Sequence, residues 1–267
     1  MDNLTELVRE YEELELNKVL NYEKFNNFSI VHHSSSIEGS TLTEVDTQLL
    51  LDEGITPAGK PLVHSLMVKD HYAALLFMLT KFPERLSVSF IQEVNAKVMS
   101  ETGQLYETAF GKMDASKGEF RKGNVTAGGS YFPNYDKVER LTKELVEYLN
   151  EKLTQVKTLQ AKLELSFYAH YTLVSIHPFY DGNGRTSRLL MNGIQHKFGL
   201  PLSIVFKEDK SQYYDALIES REDEDIEHFY DFMFSQYEKQ LKQSIAIYKK
   251  GLNRDSDFFF NSERKNK

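Results

Sequence analysis

Within twelve residues, the stretch HPFYDGNGRTSR brings together one imidazole, one carboxylate and two guanidinium groups, between two apolar stretches that are typical of helices. Pro178 disfavours helical geometry at the residue before it, so the preceding helix is expected to end at His177, with the imidazole facing the loop. An unperturbed imidazole titrates near neutrality and can act as a general base toward a hydroxyl group. A plain helix connection does not need this many charged groups, so the stretch predicts a reactive site.

The same loop has the features of a phosphate-binding site. The glycines of GNG, residues 182–184, let the backbone turn sharply just before a helix, whose free N–H groups and dipole favour an anion. Arg185 and Arg188 share a face of that helix's first turn, where guanidinium groups can meet phosphate oxygens in bidentate fashion. Asp181 is a candidate Mg²⁺ ligand, because Mg²⁺ prefers carboxylate, water and phosphate oxygens. The loop therefore predicts a triphosphate site beside a base.

The surrounding sequence predicts one mainly α domain that carries a single β-hairpin. Residues 161–176 are apolar on most sides and predict a central buried helix. The stretch RKGNVTAGGSYFP, residues 121–133, has two short strand-like runs around Gly-Gly, which predicts the hairpin. Helical spacing predicts further helices over residues 5–25, 63–78, 88–98, 184–198 and 226–245. Capping signals predict two more: one begins after an N-cap at Thr43 and ends near Gly54, and the other begins at a capping box of Asp136 and Glu139 and extends to residue 149.

Composition excludes several classes of protein. The 267 residues contain no cysteine, which excludes disulfides and thiolate metal sites. The net charge of −8 argues against a nucleic-acid-binding surface. No apolar run approaches the roughly 20 residues of a membrane span, and the N-terminus lacks the pattern of a signal peptide. We therefore expect a cytoplasmic protein with no nucleic-acid or membrane partner.

The stretch HPFYDGNGRTSR resembles the Fic-family signature, His-x-Phe-x-Asp/Glu-Gly-Asn-Gly-Arg-x-x-Arg, at every specified position. The resemblance extends to GEFRKGNV before the hairpin and to SSSIEG with its following TLT, and covers roughly residues 34 to 232. It implies a Fic-like helical domain over 34–235 with a β-hairpin flap, preceded by a helical region at 1–33 and followed by a helix and tail at 236–267. It also implies a protein adenylyltransferase that transfers AMP from ATP to a hydroxyl of a target protein.

The resemblance assigns a role to each residue of the signature. His177 would deprotonate the Ser, Thr or Tyr hydroxyl of the target, and Asp181 would hold Mg²⁺ between the α- and β-phosphates. Phe179 would anchor the loop by packing. The remaining residues would contact the phosphates, as an anion hole and as ligands of the β- and γ-phosphates: Gly182, Asn183, Gly184, Arg185 and Arg188.

Two further features have a functional and a structural interpretation. By resemblance, the hairpin at 121–133 is a flap that holds a target segment as an added β-strand, although an ordinary surface hairpin has the same sequence signals. Tyr213 and Tyr214 lie where related chains place a tyrosine near the adenine, and core packing of an aromatic pair is the alternative.

The stretch SSSIEG fits the family's inhibitory pattern, Ser/Thr-x-x-x-Glu-Gly/Asn, starting at Ser34. In similar proteins the glutamate, here Glu38, pairs with the second arginine of the signature, here Arg188, which is then lost to the γ-phosphate. A plain helix cap is the alternative interpretation. The resemblance leaves open a homodimer, another nucleotide and removal of AMP, and the sequence also allows a nucleotide-responsive binding protein without catalysis.

Overall fold

The computed structural model describes residues 2–16, 22–108, 111–127 and 130–264. The described residues form two antiparallel pairs of short strands, β1 (Leu105–Thr108) with β2 (Gly111–Asp114) and β3 (Thr126–Ala127) with β4 (Ser130–Tyr131). The mainly α prediction is confirmed. The helices are α1 (Asp2–Glu13), α2 (Tyr22–Ile37), α3 (Glu44–Glu53), α4 (Leu62–Lys81), α5 (Val88–Val98), α6 (Tyr135–Gln155), α7 (Leu159–Ile176), α8 (Asn183–Lys197), α9 (Lys210–Glu222) and α10 (Glu227–Arg264).

The consecutive helices α7 and α8 form the centre of the domain, and the loop between them is HPFYDG. As predicted, α7 is buried: Leu163, Phe167 and Leu173 are each at most 1% exposed. On one side of this pair, the core includes side chains of α4, α5 and α6. On the other side, a second cluster joins α1, α9 and α10. Helices therefore surround the loop, so its position is set by packing on both sides.

The prediction of a single hairpin is wrong for the described residues, which contain two. The predicted hairpin is present, with Thr126 opposite Tyr131 in register, and its Gly128-Gly129 link lies outside the described residues. The unexpected hairpin, β1–β2, pairs Leu105 with Asp114. The sequence between its strands, Ala-Phe, contains none of the residue pairs that favour a two-residue hairpin turn, which is why the sequence did not reveal it.

Several helix ends differ from prediction. One helix over 5–25 is wrong, because α1 ends at Glu13 and α2 begins at Tyr22. The capping box at Asp136 and Glu139 is also wrong: α6 begins at Tyr135, whose N–H donates to the Asn124 side chain at 3.0 Å. By contrast, Thr43 is the N-cap of α3, with a reciprocal side-chain bond to Asp46, and Gly54 ends that helix in a left-handed conformation.

One helix bears on the expectation that no apolar run approaches the length of a membrane span. By length and composition alone, α4 could span a membrane, with a mean hydropathy of 1.2. It packs against α2, α5 and α8, and it buries the polar side chains of Asp70 and His71. This is the packing of a core helix. The proposed divisions after residues 33 and 235 both fall inside helices, α2 and α10 respectively.

Candidate active site

The loop after α7 is held by its own side chains. As predicted, α7 ends at Ile176; His177 adopts a left-handed conformation with φ 52° and ψ 58°. The Asn183 amide accepts a hydrogen bond from the Phe179 N–H and donates one to its carbonyl, both at 2.9 Å. Phe179 is 2% exposed, in agreement with its predicted packing role. The side chain of Asn183 therefore fixes the loop rather than facing a ligand.

The two glycines of GNG differ in what an added side chain would meet. Gly182 is the N-cap of α8 with φ 77°, and a Cβ there would lie 2.8 Å from the Met99 sulfur. Gly184 has an ordinary helical conformation, but a Cβ would lie 2.4 Å from Oε1 of Glu38. The start of α8 is thus closely approached by a carboxylate, as expected of an anion-binding helix N-terminus.

A cavity of about 500 Å³ opens beside this loop. It is lined by predicted site residues from α7, α8 and α9 together with the segment that follows α2: His177, Gly184, Arg188, Tyr213, Tyr214 and Glu38. The flap contributes Phe132 and Ser130. The structure therefore brings the predicted base, two residues predicted to contact phosphate and the predicted inhibitory glutamate to one space.

Arg188 is 4% exposed and bonded to the end of α2. Its Nη2 donates to Glu38 Oε1 at 2.5 Å and to the Ser34 carbonyl at 3.2 Å, and its Nε donates to the Ser34 hydroxyl at 2.8 Å. Burial alone would raise the pKa of Glu38, but the charges of Arg188 and Arg185 and the hydrogen bond from Arg188 lower it below its ordinary value. Glu38 is therefore an ionised carboxylate, and it forms an ion pair with Arg188, one of the cations that line the cavity.

Arg185 and Asp181 do not line the cavity. The Arg185 side chain is 2% exposed, and its guanidinium lies against α5, with Nη1 donating to the Val98 carbonyl at 3.1 Å. The Asp181 side chain is 52% exposed and lies 3.9 Å from Arg185. Among the described residues, no three His, Asp or Glu side chains are grouped as a metal site. Phosphate contact by Arg185 and metal binding by Asp181 stay predictions.

The flap covers the predicted base. The Phe132 ring stacks on the His177 ring, with centroids 3.9 Å apart and planes 21° apart. This burial lowers the pKa of His177 to about 4, against a smaller opposing effect of the Val174 carbonyl, which lies 3.4 Å from Nδ1. At neutral pH the imidazole is therefore neutral and able to accept a proton.

Sequence reasoning did not assign a role to two arginines. Arg221 of α9 lines the cavity and donates to the Ser130 hydroxyl of the flap at 3.1 Å. Arg121 is 2% exposed, and within the described part of the chain its guanidinium donates only to carbonyl groups. The acceptors lie at both ends of the flap and at the end of α7: Gly123, Pro133, His177 and Ile176. Arg121 lies within the quoted stretch GEFRKGNV, which was the available signal; Arg221 has none.

The two tyrosines differ. Tyr213 is 1% exposed; its hydroxyl lies 2.9 Å from Nε2 of His170 and accepts a hydrogen bond from Nη1 of Arg188 at 3.4 Å. Tyr214 is 39% exposed at the cavity. The Tyr213 ring is therefore packed in the core while its hydroxyl is hydrogen-bonded, whereas Tyr214 is the one with a ring surface open to a ligand.

Comparisons with known proteins agree with this geometry. Residues 85–194, which include the flap and the loop, match the Fic/DOC family. The protein adenylyltransferases Fic of Drosophila erecta and Drosophila melanogaster are each 33% identical over 215 residues, which cover 80% of this chain and 41% of theirs. The chain thus spans about two fifths of the length of these relatives.

Two solved structures have the same fold over nearly the whole chain. A Fic domain containing signaling protein from Bacteroides thetaiotaomicron is 25% identical with a TM-score of 0.78, covering 91% of this chain and 96% of that one. Fic-1 from C. elegans is 26% identical with a TM-score of 0.74, covering 93% and 72%. With the signature loop assembled at the centre of this fold, the chain belongs to the Fic/DOC family.

Proposed function

We propose that this protein is an adenylyltransferase that transfers AMP from ATP to a hydroxyl group of a target protein, and that Glu38 inhibits it. The observation that carries the proposal is the Glu38–Arg188 pair at the N-terminus of α8, in the same cavity as His177. A carboxylate there occupies the place that a helix N-terminus offers to a phosphate. The names of the Drosophila relatives support the same activity.

In the proposed reaction, the target hydroxyl oxygen attacks the α-phosphorus of ATP. The new P–O bond forms as the bond between the α-phosphorus and its bridging oxygen breaks, and pyrophosphate leaves. The hydroxyl proton moves to the imidazole of His177, which is neutral because burial lowers its pKa to about 4. Arg188, once free of Glu38, pairs with the terminal phosphate in the manner of a guanidinium and phosphate.

Asp181 fits Mg²⁺ only as a single carboxylate. Its side chain is half exposed, and its Oδ1 accepts a hydrogen bond from the Gly182 N–H at 2.5 Å. Mg²⁺ commonly takes one or two carboxylates together with phosphate oxygens and water, so one carboxylate beside a triphosphate is sufficient. When bound, Mg²⁺ would neutralise phosphate charge.

We place the target protein at the flap, 121–133. Tyr131 of β4 is 86% exposed, and the two-residue strands β3 and β4 pair only with each other among the described residues. Strand addition there would bring a target hydroxyl beside Phe132 and His177, which are stacked. A homodimer and a cytoplasmic location remain expectations from the sequence.

Labelled ATP tests the activity. The protein with Glu38→Gly is incubated with Mg²⁺ and ATP that is labelled on either the α- or the γ-phosphate, and protein-bound label is measured. AMP transfer predicts label from the α-position only, on a target or on the protein itself. Label from the γ-position would indicate phosphotransfer. ATP binding without transfer, in the presence of a cell extract as a source of targets, would favour a nucleotide-responsive binding protein.

A further inference from the structure

The hydrogen bonds of Arg188 divide into two groups. Among the described residues its guanidinium makes four, and three of them go to Ser34 and Glu38 at the end of α2. The fourth goes to the hydroxyl of Tyr213 on α9. If Glu38 withdraws and α2 shifts with it, Arg188 loses its hydrogen bonds to Ser34 and Glu38. Of the four bonds, the one to Tyr213 then remains.

The Tyr213 hydroxyl is itself held by a buried histidine. An arginine can only donate, so the tyrosine oxygen accepts from Arg188, and the tyrosine proton can then be donated to Nε2 of His170 on α7, which lies 2.9 Å away. His170 is completely buried, and burial together with the charge of Arg188 lowers its pKa well below the ordinary value. The imidazole is therefore neutral, and in the tautomer with its proton on Nδ1 the Nε2 lone pair can accept the tyrosine proton.

This arrangement is costly, which argues against simple packing. With Nε2 as the acceptor, the imidazole proton lies on Nδ1, which is buried and has no partner among the described residues. A buried donor without an acceptor destabilises the folded state. An apolar ring in place of His170 would avoid this cost but would leave the tyrosine proton without its acceptor.

We infer that His170 and Tyr213 are positioning residues that keep the guanidinium of Arg188 directed into the cavity once Glu38 releases it. The inference rests on the proposed function, in which Arg188 contacts the terminal phosphate of ATP. Its consequence concerns discrimination between nucleotides. Loss of the Tyr213 hydroxyl should weaken binding of ATP, which has the terminal phosphate, and leave binding of ADP nearly unchanged.

The experiment measures dissociation constants for ATP and ADP by calorimetry, with every variant in the Glu38→Gly protein. Tyr213→Phe keeps the ring and removes one oxygen atom. Tyr237→Phe is the matched control, because Tyr237 is fully buried in the same apolar cluster and its hydroxyl has no partner among the described residues. We expect Tyr213→Phe to weaken ATP binding about tenfold, the size of one hydrogen bond to a charged group. ADP binding should change less than twofold, and Tyr237→Phe should change neither.

Two histidine variants test the second part of the pair. His170→Gln offers an amide acceptor at similar reach and should keep the preference for ATP, whereas His170→Leu should lose it. Equal losses for ATP and ADP in Tyr213→Phe, or the same behaviour as Tyr237→Phe, would overturn the inference. Arg188→Ala separates a failure of the positioning role from a failure of the phosphate contact. If Arg188→Ala removes the preference for ATP while Tyr213→Phe does not, only the positioning role fails. If Arg188→Ala leaves the preference unchanged, the phosphate contact fails and the positioning role fails with it.

Discussion

Replacement of Glu38 by glycine should raise AMP transfer rather than lower it. The carboxylate accepts a hydrogen bond from Nη2 of Arg188 at 2.5 Å, and its Oε1 lies 2.4 Å from the position of an added Cβ on Gly184, at the N-terminus of α8. Removing it frees both the cation and the helix end for phosphate. Because Arg188 keeps its bond to Tyr213, the guanidinium remains at the cavity wall.

The size of the effect follows from the pair that is lost. A hydrogen bond between charged groups contributes about 1.5–3 kcal/mol, and the Glu38 side chain is 28% exposed, so solvent screening favours the lower value. About 1.4 kcal/mol corresponds to a tenfold change, so we expect transfer to rise at least tenfold. Without ATP, the unpaired cation should lower the melting temperature by a few degrees, and Mg-ATP should largely restore it.

The assay compares wild type, Glu38→Gly, Arg188→Ala and the double variant with α-labelled ATP, and records melting curves with and without Mg-ATP. Glu53→Gly, at the exposed end of α3, controls for replacing a glutamate by glycine. Arg188→Ala should cancel the gain, because the freed phosphate site then lacks its guanidinium. A folded Glu38→Gly protein that is no more active than wild type would refute self-inhibition.

Further variants test the remaining assignments. His177→Ala should abolish transfer and leave ATP binding near the wild-type value; transfer at the wild-type rate would show that another group is the base. Burial lowers the pKa of His177 from 6.5 to about 4, so the wild-type protein should lose up to about 3 kcal/mol of stability as the pH falls from 6.5 toward 4. His177→Ala should lose correspondingly less, which urea unfolding at pH 7.5 and pH 5 would measure. Asp181→Ala should remove Mg²⁺-dependent activity with an unchanged melting temperature, since the side chain is half exposed; an unaltered response to Mg²⁺ would exclude it as a ligand. In Arg121→Lys the lysine cannot reach all four carbonyls, so hydrogen exchange should become faster across residues 124–133 and stay unchanged in α10. Equal exchange in the flap would contradict a role of Arg121 in joining the flap to the end of α7.

The local parts of the site were predictable because their causes are local. Pro178 disfavours helical geometry at His177, so α7 ends at Ile176. The conformational freedom of Gly182 allows the turn that starts α8. The helix from Thr43 to Gly54 has its capping residues in the sequence. These features depend on a few neighbouring residues, so residue types and spacing were sufficient to locate them.

The direction of long side chains was not predictable in the same way. Arg185 and Arg188 are three residues apart on one helix, yet one guanidinium bonds to the Val98 carbonyl and the other faces the cavity. Their separation is decided by α5 and α2, which pack on α8 from different parts of the chain. The β1–β2 hairpin likewise lacks a local turn signal. Contacts between distant segments decide each of these features.

Gly184 is the point at which the stretch SSSIEG, through Glu38, approaches the stretch HPFYDGNGRTSR. Its φ does not require glycine, and the helix continues through it without strain. The requirement comes from outside the loop, since Oε1 of Glu38 would lie 2.4 Å from an added Cβ. A side chain there would force the Glu38 carboxylate to shift away from the start of α8. The Glu38 carboxylate thus approaches the helix end at which the proposed function places a phosphate, and both would pair with Arg188. In the proposed function, the inhibitory glutamate and the phosphate therefore compete for a single site.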